Sequence, residues 1–91
     1  MMVIALPQRI DLSNVATVAA DIRSALGANL QVDASHVTHL GALGVQALIA
    51  ANHAAGLSGH TFEIYPRSEA FDETIAQFGL EIDALQTEVE A

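Results

Sequence analysis

Ninety-one residues without a cysteine suit one domain and exclude disulfides, thiolate zinc sites and cysteine catalysis. The formal charge is −8, lysine is absent, and the only basic side chains besides histidine are Arg9, Arg23 and Arg67, too few to neutralise a nucleic-acid backbone or hold an anionic membrane surface. No apolar run approaches the roughly 18 residues of a membrane span, and no basic segment precedes an apolar leader, so a cytoplasmic protein is the expectation.

Val3-Ile4-Ala5-Leu6 is a short apolar run closed by Pro7 and reads as a strand. Pro7 to Asp11 leads out of it, and Asp11 or Ser13 offers an oxygen to cap a helix. Leu12, Val15, Val18, Ala19, Ile22 and Leu26 recur at helical spacing, with Asp21 and Arg23 outward and Gly27 as a stop. Asn29 to Asp33 predicts a second strand with Leu30 and Val32 on one side and Gln31 opposite. A polar loop comes next. A strongly apolar helix is then predicted from about Gly41 to Ala55, closed by Gly56.

Thr61 to Tyr65 reads as a third strand ended by Pro66. Ser68 caps a last helix with an inward stripe of Ala70, Phe71, Thr74, Ile75 and Phe78, stopped by Gly79. Glu81 to Leu85 fits either a short edge strand or a helical turn, and the acidic tail from about residue 86 is expected to fray. Alternation of strand and helix predicts one α/β domain over residues 1–91, with a mostly parallel sheet of about four strands and helices packed against it.

Charge is unevenly spread. From Thr61 onward eight acids face Arg67, a net −7, whereas the first sixty residues carry three acids against two arginines, a net −1. An acidic C-terminal third of this kind is a solvated face or a surface that steers a basic partner.

The chemistry-bearing residues do not assemble into a catalytic set. Gly41-Ala42-Leu43-Gly44 opens a helix, but a phosphate-cradling loop would need more glycine and a lysine, which the chain lacks. His36 and His39 sit three apart, yet no third ligand stands at a metal-binding spacing. Ser35 and Ser58 lie outside any nucleophile-elbow sequence, and Ser35 and Thr38 are expected to hydrogen-bond the loop backbone instead. No catalytic residue, metal or cofactor is therefore assigned. The helix from Leu40, interrupted only by Gln46, Asn52 and His53, should bury one face and leave small apolar residues on the other.

The segment Asp33-Ala34-Ser35-His36-Val37-Thr38, with Leu40 and Gly41-Ala42-Leu43-Gly44 after it, resembles the signature of STAS domains (sulfate transporter and anti-sigma factor antagonist). In that signature a strand ending in aspartate leads through a loop to Asp-Ser-Ser-Gly at the start of an apolar helix. Leu6 to Asp11 is similar to the family's earlier strand ending in Glu-Leu-Asp, and Phe78-Gly79-Leu80 to the Ser-Gly-Leu ending its third helix. The resemblance covers about residues 3 to 85 and leaves out the family's first strand. It places Gly44 on the family glycine, Gly41 on the acid before the phosphorylatable serine, and Ala42 on that serine.

The resemblance implies a protein-docking module of bacterial signalling without serine phosphorylation at that position. His39-Leu40-Gly41-Ala42-Leu43 is similar to a subgroup associated with chemotaxis gene clusters, which implies a signalling kinase or chemotaxis protein as partner. A nucleotide- or small-ligand-binding subunit, for example of a lipid-trafficking ABC transporter, is the alternative. The docking surface expected on this resemblance is Ser35, Thr38, His39, Gly41, Ala42, Leu43 and Gln46. Ser35, Thr38 and His39 form its polar rim, Ala42 and Leu43 its apolar centre, and Gly41 allows close approach. Asp11 and Asp33 are expected to shape loops.

Overall fold

A computed structural model describes residues 2–86. Three strands, β1 (Met2–Ala5), β3 (Leu30–Ala34) and β5 (Phe62–Arg67), form a parallel sheet in the order β1-β3-β5. Two further strands of two residues each, β2 (Arg9–Ile10) and β4 (His39–Leu40), pair in parallel as a separate ribbon. The α/β reading with a mostly parallel sheet is therefore right, but its strands are divided between two small sheets. Neither residue pair is long enough to show a two-residue period, so only the resemblance of Leu6 to Asp11 to a family strand pointed to β2.

Registry sorts the side chains of the main sheet. Ile4 pairs with Val32, Val32 with Ile64, and Leu30 with Phe62, so one face is continuously apolar. Leu30, Val32, Ala34, Phe62 and Ile64 on that face are fully buried. The alternate residues Val3, Gln31, Glu63 and Tyr65 are half-buried or exposed, as period-two alternation requires when one face meets the core. Gln31 Nε2 donates to the Tyr65 carbonyl at 2.8 Å across that outer face.

Helix α1 (Val15–Ser24) buries Val18 and Ile22, and α2 (Ala42–Leu57) buries Gly44, Val45, Leu48, Ala51 and Ala55. Helix α3 (Glu69–Gln77) contributes Phe71 and Ile75 to the same core. Its start follows the expected capping chemistry: Ser68 Oγ accepts from Phe71 N–H at 3.1 Å, with Glu69 and Asp72 in the first turn.

β1 and β3 each differ by one residue from the sequence reading, and larger differences have physical reasons. Leu12 is 80 % exposed, outside α1, which ends at Ser24 rather than at Gly27. Helix α2 runs through Gly56, because the turn is made at Gly59, whose φ of +75° only glycine adopts without strain. β5 continues through Pro66 to Arg67, since an edge strand tolerates a missing donor on its free side. Phe78 is 48 % exposed and caps α3 instead of joining the core.

Gly79, with φ +72°, does stop α3, and Ile82–Ala84 is a 3₁₀ turn, the second of the two readings of that segment. Beyond it Gln86 is nearly buried, and its Oε1 accepts from Ile64 N–H at 2.9 Å on the outer edge of β5. The expected fraying of the tail concerns residues 87–91, which lie outside the described ones.

Candidate functional site at the start of helix α2

The loop between β3 and α2 is built by two carboxylates and a pair of short strands. Asp33 Oδ1 accepts from Ser35 N–H at 2.9 Å and from Ser35 Oγ at 2.6 Å, closing a turn at the end of β3. Asp11 repeats the device with Ser13, whose N–H and hydroxyl both donate to its Oδ1. The Ser13 hydroxyl and amide hold the Asp11 carboxyl below its ordinary range, and those of Ser35 do the same for Asp33. Both aspartates thus shape loops. The Ser35 hydroxyl, however, turns to a carboxylate and to His36 Nδ1 at 3.2 Å rather than to backbone.

The second half of the loop is pinned to the connector after β1. The Gln8 carbonyl accepts from Thr38 N–H at 2.8 Å, His39 N–H at 3.1 Å and Thr38 Oγ1 at 3.1 Å. The Ile10 carbonyl accepts from Gly41 N–H at 2.9 Å. Residue pattern reads Gln8, Arg9 and Ile10 as a lead-out from β1, and the resemblance likens Leu6 to Asp11 to a strand; the backbone of Gln8 and Ile10 fixes where α2 begins. The available signal is Ile10, a lone apolar residue in a polar stretch, which is almost completely buried.

Gly41 is the N-cap of α2, with extended backbone (φ −81°, ψ 168°) and no side chain to bond the first-turn N–H groups. No acid lies in that first turn. Ala42, Leu43 and Gln46 are exposed, as are Thr38 and His39, while Ser35 and Gly41 are half-buried. Leu43, at 44 % exposure, is the largest apolar side chain at the tip. The seven expected residues therefore lie on one continuous loop and helix start, with Ser35 tied back to Asp33.

The glycine that packing demands here is Gly44. A β-carbon there would stand 2.7 Å from Leu40 Cδ1 and 2.8 Å from Ile10 Cγ2, whereas one at Gly41 would meet the Ile10 carbonyl oxygen at 3.4 Å and Asp11 Cα at 3.9 Å. The ribbon of β2 and β4 thus presses directly on the first turn of α2 through Ile10 and Leu40.

Among the described residues, no group of three or more histidine or acidic side chains is placed to hold a metal ion. Among them, too, no helix is long and apolar enough to cross a membrane. What the tip offers chemically is a small apolar patch ringed by hydroxyl, imidazole and amide groups, with free helix donors behind it.

No curated protein matches the chain. A family model described as "Mlab, STAS domain" matches residues 1–87, nearly the whole length. STAS domains are typically non-enzymatic interaction modules, in keeping with the anti-sigma-factor-antagonist-like character of the loop. With Asp33 one residue before β3 ends at Ala34, the pinned loop and the glycine-bearing start of α2 in sequence order, the chain belongs to the STAS domain family.

Proposed function

We propose that this domain is a non-catalytic docking module of bacterial signalling, acting in the cytoplasm, whose partner seats on the tip of α2. The observation that carries the reading is the tip itself: exposed Ala42, Leu43 and Gln46 over a helix start with no acid and no side-chain cap. Ala42 and Leu43 supply the apolar centre, Thr38, His39 and Gln46 the rim, and Ser35 and Gly41 the rigid shoulder. Apolar centre and polar rim is the ordinary anatomy of a protein interface.

Ala42 stands where the resemblance puts a phosphorylatable serine, and a methyl group accepts no phosphoryl group. The surface is then receptive at all times, because no added charge of nearly two units can repel a partner there. The partner class that fits is a signalling kinase or a chemotaxis signalling protein, the contexts in which such a loop is used.

The test is incubation with that kinase and ATP. Residues 35–46 stay unlabelled and affinity is unchanged on this account; phosphate on Ser35 or Thr38 with loss of binding contradicts it. Thermal unfolding against ATP separates docking from nucleotide binding. A saturable ligand at 100 times its Kd adds about 2.7 kcal/mol, and such a gain would favour the ligand-binding alternative.

A further inference from the structure

Helices α1 and α2 leave an apolar groove of about 280 Å³ between them, floored by Ile22, Leu26, Ala47, Ala50 and Ala54 with Arg23 at its rim. Leu43, Ala47, Ala50 and Ala54 succeed one another along α2 at helical spacing, so the groove opens on the helix face that carries Leu43 at its tip. From residue 43 to 54 the surface runs about 16 Å, roughly three helical turns.

Arg23 is the second observation. Arg9 pairs with Asp11 at 3.4 Å and Arg67 with Asp72 at 2.9 Å, but among the described residues Arg23 has no carboxylate partner. This happens in a chain with eleven acids. A cation in the last turn of α1 complements the helix dipole, which accounts for its sign but not for its place beside the groove. A guanidinium over apolar surface is matched by a carboxylate, which it holds with two parallel hydrogen bonds.

We infer that the groove receives an amphipathic helix of a protein partner, with its apolar stripe on α1 and α2 and an aspartate or glutamate over Arg23. The alanine walls let a third helix approach closely, as ridge-into-groove packing requires, and recognition of a helix by such a groove reads anchors at i, i+3 or i+4, and i+7. This rests on the docking reading and names the chemistry of what docks.

The probe is a displayed library of 18-residue amphipathic helices, selected on the full chain and screened against Arg23→Glu, Ala50→Arg and Ala42→Glu. Enriched helices carrying an acid at one end of the apolar stripe are expected. Their affinity should fall at least tenfold on Arg23→Glu and on Ala50→Arg, and a helix with that acid changed to lysine should prefer Arg23→Glu to the original. No enrichment, or binders indifferent to Arg23→Glu, overturns the inference. Loss on Ala42→Glu alone overturns the groove and leaves the tip reading standing; loss on Arg23→Glu and Ala50→Arg alone supports the groove and removes the tip. Saturable binding of dodecanoate with no helix enriched would give the groove to a small carboxylate amphiphile and overturn the helix.

Discussion

Gly44 is where the first turn of α2 packs against Ile10 and Leu40. Replacing it with alanine improves intrinsic helix propensity by about 1 kcal/mol but drives a methyl group into Ile10 and Leu40, both buried. Overpacking of this kind costs about 1–3 kcal/mol, so Gly44→Ala should lower stability by about 1 kcal/mol in urea titration; a stabilised variant would mean that the ribbon yields freely. Asp33 makes a pH-dependent contribution. Its carboxyl is depressed below 3.8 by the Ser35 hydroxyl and amide, so the stability it adds is complete above that value and is lost as pH falls through the folded-state value. The difference in unfolding free energy between the original chain and Asp33→Asn should be level above about pH 5 and shrink below about pH 4. A difference that grows with acid contradicts the assigned turn.

At the scale of elements, what was legible depended on whether a segment had room to show its period. β3, β5 and α3 showed it plainly, since Leu30 and Val32, Phe62 and Ile64, and Phe71 and Ile75 sit at the spacing of the face they bury. β2 and β4 are two residues each and show none. Helix α2 failed in the opposite way: nearly every position is apolar, so no contrast told Val45, Leu48 and Ala51, which are buried, from Leu43 and Ala50, which are exposed. The loop residues of the site were readable from the order of motifs, while the backbone of Gln8 and Ile10 that holds them was not, because carbonyl acceptors leave no mark on residue type. The cap of α3 was readable from a single serine. Ser68 accepts from Phe71 N–H and donates to the Val37 carbonyl, so Ser68→Ala loses both bonds and should cost about 1–2 kcal/mol in unfolding free energy. A loss below about 0.3 kcal/mol would place the start of α3 elsewhere.

The whole molecule is strongly acidic, and most of its acids fall in the C-terminal third, which supplies β5, α3 and the closing turn. Such a chain repels itself when folded. Raising ionic strength from about 0.01 M to about 0.15 M shortens the screening length from about 30 Å to about 8 Å, and the thermal midpoint should rise accordingly. A falling midpoint would mean that favourable ion pairs outweigh the repulsion, which the two arginine pairs give little reason to expect.

On that scaffold the decisive question is whether a partner sits on the α2 tip. Titration calorimetry of the purified partner against the original chain and Ala42→Glu asks this directly. The exposed position lets the variant fold, and a buried unpaired carboxylate in the contact should weaken binding by at least about 1 kcal/mol. Equal affinity for both chains would contradict docking at the tip and move the interface elsewhere on the molecule.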